Sequence, residues 1–244
     1  MSPVLPLPAP WIDGLPRDVR GFVVPAEAGW EDGAPVLAKV GQDRKVALGM
    51  RRACGVCGFV LPKGRAVYRA FAQVDAAHIR MHEREQSHDD SGPLHLSCVL
   101  YSAMVCPYLR ERTARMSRTG INPGGRRGTR AAVIGFAGFG LLVPMHAYKS
   151  SQPAMPKFAY VQMVEDIPYV DGADLTDRYE AAVRSDRNII DMSVPRMFWT
   201  GEEPPDLKRA LRADVKAISR RAENSEFVYT QMIENEGEFG ALPL

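Results

Sequence analysis

The sequence lacks an apolar run long enough to cross a membrane. Its longest such run, AAVIGFAGFGLLVPM at residues 131–145, is shorter than the roughly 20 residues that a spanning helix needs, and glycines interrupt it. The N-terminus has no basic region followed by an apolar one, so it does not predict a signal peptide. We therefore expect a cytoplasmic protein with no membrane partner. The run itself is predicted to form a buried strand or strand pair.

The chain also has little net charge and few cysteines. Its formal net charge is +2, from 31 basic and 29 acidic residues, so any nucleic-acid partner must be argued from local charge patterning. Four cysteines without a secretion signal are expected as thiols or thiolates and not as a disulfide framework. The remaining composition, 45% hydrophobic and 25% charged, is typical of a soluble protein with one large or two small domains.

Composition divides the chain into four segments. Residues 1–49 are a proline- and glycine-rich segment suited to strands and turns, and residues 50–116 hold all four cysteines and four of the five histidines. Residues 117–130 are a basic linker, and residues 131–244 are predicted to form an α+β lobe. The fold class is therefore predicted to be α+β, with a treble-clef-like zinc module joined to a small mixed sheet and a C-terminal amphipathic helix.

The elements of the C-terminal lobe are predicted from their patterns. After the apolar run, residues 157–168 are typical of a strand, residues 175–186 of a helix, and residues 194–201 of a strand running into a turn. Residues 205–224 are predicted to form an amphipathic helix, because their apolar side chains fall within an arc of about 80°. These side chains are Leu207, Leu211, Val215, Ile218 and Ala222.

Two pairs of residues have the spacing of zinc ligands. Cys54 and Cys57 form a C-x2-C pair on a glycine-flanked turn, which is how zinc knuckles present two sulfurs to one ion. His95 and Cys98 lie three residues apart where a helix-compatible run begins, so their side chains are expected to be neighbours on its first turn. Together the two pairs predict a tetrahedral zinc site.

Cys106 is the alternative fourth ligand. In a continuous helix it would lie about 12 Å from Cys98, whereas two sulfurs on one zinc can be at most about 4.6 Å apart. A four-cysteine site therefore requires the helix to break, and Pro107 favours a break at that point. A redox role for Cys54 and Cys57 is a further alternative, but the neighbouring glycines favour a turn over the start of a helix.

The 37 residues between the two ligand pairs are rich in histidine and acid. His78 and His82 have i,i+4 spacing and would join Asp75 on one helical face as a second metal site. The simpler interpretation is a solvated, charge-rich helix or loop. The segment lacks the H-E-x-x-H order that places a general base between two ligands.

Two clusters of basic residues are candidate contacts for nucleic-acid phosphates. Seven arginines lie between residues 110 and 130, against one acid, and a second group lies beside the apolar stripe of the C-terminal helix. A solvated helix face with an arginine-rich loop explains them equally well, and the glutamate-rich tail after Glu223 would neutralise either cluster. The candidate contacts are Arg126, Arg127, Arg130, Lys208, Arg209, Arg212, Lys216 and Arg220.

Four motifs follow one another along the chain: GLPRDVRGFVVP, CGVCG, PLHLSCVLYSAMVCPYL and FWTGEEPPDLKRALRAD. Their order resembles that of a group of uncharacterised zinc-binding proteins from actinobacteria and their phages. The resemblance covers much of the chain but neither the histidine-rich insertion nor the basic linker. It implies a compact zinc-binding protein of a bacterial host cell or its phage, in which the H-x2-C and C-P elements belong to one motif, and it implies no activity.

Three functional hypotheses follow from these features. The first is a non-enzymatic protein whose structural zinc organises a treble-clef-like module that docks on nucleic acid or a nucleic-acid machine. The second is a metal-dependent nuclease that uses His78, His82, His88 and Asp89 or Asp90, although no H-N-H arrangement is readable. The third is a viral structural or assembly protein that binds other subunits through its proline-rich N-terminus and acidic tail.

Overall fold

A computed structural model describes residues 5–116, 124–145, 156–224, 226–228, 230–233 and 237–244. Within these residues the chain forms an α+β fold in which helices pack against an antiparallel sheet. No helix in the described part of the chain is both long enough and apolar enough to span a membrane.

The N-terminal segment forms short elements around a hairpin. Helix α1 is a single turn whose Trp11 and Ile12 are buried in the core. Strands β1 and β2 pair with each other, and helix α2 follows directly with Arg44 and Lys45 buried on it. The bounds are α1 Pro10–Asp13, β1 Ala28–Glu31, β2 Ala34–Val40 and α2 Gln42–Met50.

The middle of the chain alternates strands and helices. The apolar helix α4 is buried along most of its length and ends where Cys106 leaves helical geometry, at φ −63° and ψ 121°, before Pro107 starts α5. The restriction that proline places on the preceding residue explains this break. The bounds are β3 Val67–Phe71, α3 Gln73–His82, β4 Gln86–Asp89, α4 Leu96–Val105 and α5 Pro107–Arg110.

One long strand organises the main sheet. Strand β5, Ala131–Pro144, pairs along one side with β6, Lys157–Tyr169. On its other side, its first half pairs with β3 and its second half with β8, Gly237–Pro243. Strand β7, Thr230–Ile233, extends the sheet from β8, and β4 extends it from β6. All of these pairings are antiparallel, so the sheet that was predicted to be mixed is antiparallel throughout the described residues.

The sheet joins segments that the sequence assigned to different domains. Strands β3 and β4 come from residues 50–116, while β5 and β6 come from residues 131–244. Nearly every residue of β5 is buried, which its continuous apolar sequence indicates for a strand covered on both faces. The hydrophobic core accordingly combines residues of both segments, including Leu100, Phe136 and Tyr160.

Two helices complete the fold. Helix α6, Thr176–Asp186, follows a 3-10 turn at Gly172–Leu175 and contacts α4. Helix α7, Pro205–Glu223, packs on α2. Both helices, like β5 and β6, lie where the sequence patterns predicted them.

Three local predictions were wrong. Residues 194–201 form no strand; instead Met197 N donates to Gly58 O at 2.8 Å. The buried stripe of α7 includes Asp214, which pairs at 2.8 Å with Arg51, the residue that follows α2, while Val215 is 60% exposed. Residues 42–50 form helix α2 within a segment predicted to hold strands and turns. The predicted basic linker is described only for residues 124–130, and the rest of it lies outside the described residues.

Candidate metal centre

Cys54 and Cys57 lie on a tight turn closed by backbone hydrogen bonds. Ala53 and Val60 form an isolated antiparallel bridge on either side of the turn. Within it, Cys54 N donates to Phe59 O at 2.8 Å and Gly58 N donates to Cys54 O at 2.9 Å. This closure turns both thiols to the same side, as in a zinc knuckle, and no helix begins at the pair, as a thioredoxin-type motif would require.

Gly58 is required by the geometry of this turn. Its φ of +73° lies in the left-handed region, which side chains with a Cβ disfavour. A Cβ built at Gly58 would also lie 2.2 Å from the carbonyl oxygen of Met197. The turn therefore depends on glycine for both its backbone conformation and its contact with residues 194–201.

His95 and Cys98 come from the start of helix α4. His95 occupies the N-cap position, with φ −66° and ψ 156°, and Cys98 is the third residue of the helix. Val99 N donates to His95 O at 3.0 Å, which begins the helical hydrogen bonding. The spacing of three thus places both side chains on the first turn, as predicted.

The two pairs of side chains converge on one point in the interior. One ligand atom of each of Cys54, Cys57, His95 and Cys98 lies within 4.8 Å of the others. The three cysteines are fully buried and His95 is 3% exposed. Three sulfurs and an imidazole nitrogen at this separation form a donor set compatible with a tetrahedral metal ion, whose sulfurs would lie about 3.8 Å apart at bond lengths of about 2.3 Å.

The orientation of His95 directs one ring nitrogen to the cluster. Its Nδ1 lies 3.4 Å from Cys57 Sγ, and its Nε2 lies 3.2 Å from the carbonyl oxygen of Val60. Because a carbonyl only accepts hydrogen bonds, Nε2 carries a proton and donates it, which leaves Nδ1 as the ligand nitrogen. Val60, next to the turn, thereby fixes the ring orientation that a metal requires.

Burial makes ionisation of several thiols together unfavourable. It raises the pKa of Cys57 and Cys98, and hydrogen bonds with the neighbouring thiols raise that of Cys98 further. Burial opposes ionisation of Cys54 too, but hydrogen bonds from Cys57 and Cys98 and the charge on His95 lower its pKa well below the usual value. Burial alone would lower the pKa of His95, yet Cys54 raises it well above the ordinary range. A cation is therefore needed before all three thiols can be thiolates.

A distant carboxylate holds the helix that carries His95 and Cys98. Asp186, at the end of α6, accepts a hydrogen bond from Ser97 N at 2.8 Å, and the Ser97 hydroxyl accepts one from Trp11 Nε1 at 3.1 Å. The carboxylate satisfies an otherwise unpaired N–H of the first helical turn and interacts favourably with its dipole. Sequence reasoning did not identify Asp186, because only the tertiary fold brings it to α4.

Cys106 does not join the cluster. The predicted break in the helix occurs at this residue, but Cys106 lies between α4 and α5, is partly exposed, and is not among the converging ligands. The alternative set of four cysteines is therefore not formed. The structure instead groups the C-x2-C and H-x2-C pairs.

The histidine-rich insertion forms helix α3 and strand β4 beside the groove described below. His78 and His82 make an edge-to-face contact with ring centroids 5.1 Å apart, and His78 Nε2 lies 3.2 Å from Glu83. His88 lies on β4. Within the described residues, the Cys54 group is the only set of three or more such side chains whose ligand atoms converge, so no second metal site is formed by the insertion.

The basic candidates differ in their exposure. Arg127 is fully buried, so its predicted role in nucleic-acid binding was wrong. Its guanidinium donates to the carbonyl oxygens of Leu109 and Val170 at 3.0 and 2.6 Å and packs on the Tyr169 ring, which makes it a structural residue. The other candidates are exposed: Arg126, Arg130, Lys208, Arg209, Arg212, Lys216 and Arg220.

The fold and the cluster together define an α+β protein with a buried group of three cysteines and one histidine that is compatible with a metal ion. No protein-family model, no curated protein and no solved structure matches the chain.

Proposed function

We propose that the chain is a non-enzymatic zinc protein that binds nucleic acid or a nucleic-acid-associated complex through helix α7. The observation that carries the proposal is a closed, buried four-donor cluster in the same molecule as a strip of unpaired basic side chains. The predicted relation to zinc-binding proteins of actinobacteria and their phages fits this proposal and supplies no activity.

The cluster supports a structural role for zinc. All four donors come from protein side chains, and their burial leaves no position for the water that catalytic zinc activates. The ligands come from a tight turn and from the first turn of a helix, which supports the proposal of a treble-clef-like module. Zinc would join residues 54–57 to α4 and contribute folding energy.

The basic strip consists of Arg212, Lys216 and Arg220. These residues are exposed and follow one another at intervals of four, so they form a row about 12 Å long on one face of α7. Within the described residues none of them pairs with an acid, whereas Lys208 and Arg209 pair with Glu203 and Asp206. The inward pairing of Asp214 with Arg51 removes the nearest carboxylate from this face, which leaves the strip positive.

Salt dependence tests the proposal. We expect a fluorescein-labelled 20-base-pair DNA duplex to bind the zinc-loaded protein. A plot of the logarithm of the binding constant against the logarithm of the salt concentration should have a slope of about −2.7, because the three basic side chains neutralise three phosphates. Between 50 and 200 mM salt, that slope weakens binding about 40-fold. The double variant Arg212→Ala/Lys216→Ala should reduce the slope to about −0.9.

The control removes the same charge elsewhere. Arg184 and Arg187 are exposed residues at the end of α6, and the variant Arg184→Ala/Arg187→Ala lowers the net charge equally. It should keep the slope of the unaltered protein. Equal losses in both double variants, or no binding of DNA or of an RNA of the same length at 50 mM salt, would refute a role for the α7 strip.

A further inference from the structure

Strand β3 has an unpaired edge. One side of β3 pairs with β5, and on the other side Tyr68 exchanges two hydrogen bonds with Leu94, at 3.0 and 3.1 Å. Backbone groups alternate in direction along an antiparallel strand, so the N–H and C=O of Ala70 point to the same side as those of Tyr68. Within the described residues these two groups of Ala70 have no hydrogen-bond partner.

This edge lines a large groove. The cavity has a volume of about 960 Å³, at the upper end of the range for ligand pockets. Ala70 and Ala72 have small side chains, which leave the backbone of β3 accessible from the groove. Its other walls are largely apolar and come from the N-terminal segment, α3, α4 and the residues just before α4. They include Val23, Ile79, Leu94, Val99 and Val105.

The α3 end of the groove is acidic. Asp75 lies in the first turn of α3 and forms no hydrogen bond or ion pair within the described residues. Partial desolvation and the charges of Asp89 and Glu83 raise the pKa of Asp75, whereas the charge of His78 lowers it. Two of the cations that line the groove are already paired, Arg69 with Asp89 at 3.0 Å and Arg20 with Asp18 at 2.7 Å. This end of the groove therefore suits a positive charge.

We propose that the groove binds an extended peptide with a basic side chain, which adds to β3 as a strand at Ala70 and directs its positive charge to Asp75. Main-chain hydrogen bonds to Ala70 set the register of the peptide, and the apolar walls take its alternate side chains. Asp75 then selects lysine or arginine. No groove residue lies on α7, so this site is separate from the proposed nucleic-acid strip.

Degenerate peptides test the proposal on the zinc-loaded full chain. The probes are acetylated, amidated pentapeptide mixtures with a fixed central Lys, Arg, Gln or Glu, and binding is followed by NMR at the Ala70 amide. We expect the Lys and Arg mixtures to bind at least tenfold more tightly than the Glu mixture. Methylation of the peptide nitrogens should weaken binding about tenfold for each hydrogen bond that is lost.

Two variants separate the backbone and charge contributions. Ala70→Pro removes the outward N–H without removing a hydrogen bond to β5, because proline is tolerated where a strand N–H faces away from its partner. It should weaken binding of the Lys mixture about tenfold. Because proline has no amide proton, binding to this variant is followed at the amide of Ala72, which also lines the groove. Asp75→Asn should abolish the preference for Lys over Gln, while Asp177→Asn, which changes an exposed carboxylate in the first turn of α6, should not.

Zinc content and thermal unfolding show whether each variant is folded. If Ala70→Pro does not fold, the methylated peptides test the same hydrogen bonds with the unaltered protein. Equal binding of the Glu and Lys mixtures, no binding by any mixture, or binding that methylation leaves unchanged would overturn the proposal. Failure of DNA binding in the α7 assay has no bearing on this result.

Discussion

Replacing Gly58 by alanine tests how the candidate metal turn is held. Gly58 adopts φ +73°, and an alanine there should cost about 1–2 kcal/mol from the left-handed backbone alone. Its Cβ would lie 2.2 Å from Met197 O, so residues 194–201 must move, and the 2.8 Å bond from Met197 N to Gly58 O is lost. That bond contributes about 1 kcal/mol. With the displaced packing of Phe198 and Trp199, we expect a total loss of about 3–4 kcal/mol.

Gly64 provides a matched control. It has the same φ of +73°, but a Cβ there meets no atom within 4 Å. Gly64→Ala should therefore lose only the backbone contribution of about 1–2 kcal/mol. Urea unfolding at excess zinc measures both variants, and a difference of about 2 kcal/mol corresponds to about 4–8 °C in Tm. Equal destabilisation of the two variants would refute the claim that contact with Met197 constrains the turn.

Two further results are expected. Purified protein should contain about one zinc per chain. Cys57→Ser should lose the zinc and unfold the middle of the chain, because structural zinc contributes on the order of 10 kcal/mol to folding. Cys106→Ser should keep the zinc. Zinc loss from Cys106→Ser, or zinc retained in Cys57→Ser, would contradict the ligand assignment. Arg127→Ala should lower the free energy of unfolding in urea by at least about 3 kcal/mol, because buried carbonyl oxygens lose their donor. Arg126 is exposed, so Arg126→Ala should change the free energy of unfolding by less than about 0.5 kcal/mol. Similar losses in these two variants would argue against a structural role for Arg127.

Local patterns account for the parts of the molecule that the sequence predicted well. The apolar run at 131–144 and the periodicity of α6 and α7 each depend on neighbours within a few residues, so they are readable in the chain itself. The pairing of C-x2-C with H-x2-C was predicted for the same reason. Each pair needs only one turn of backbone to direct two side chains to one side.

Tertiary contacts decided the rest. Arg127 belongs to an arginine-rich stretch that is typical of a solvated loop, and only its acceptors on Leu109 and Val170 explain why it is buried. Asp214 replaces Val215 on the inner face of α7 because Arg51, at the C-terminal end of α2, lies opposite. Helix α2 forms although its sequence is weakly amphipathic, since Arg44 donates to the carbonyl oxygen of Trp199 and Lys45 lies 3.6 Å from Asp90. Such partners are at least 18 residues away in the chain and leave no periodic signal.

The shared strand β5 has a consequence for how the chain can be divided or recombined. A fragment ending at residue 116 would carry β3 and β4 without β5 and β6, and a fragment starting at residue 131 would expose the side of the first half of β5 that pairs with β3. Unpaired strand edges of this kind promote association between molecules. The segment that carries the candidate metal centre and the C-terminal lobe therefore depend on each other for their strand pairings, and a stable fragment must contain both halves of the sheet.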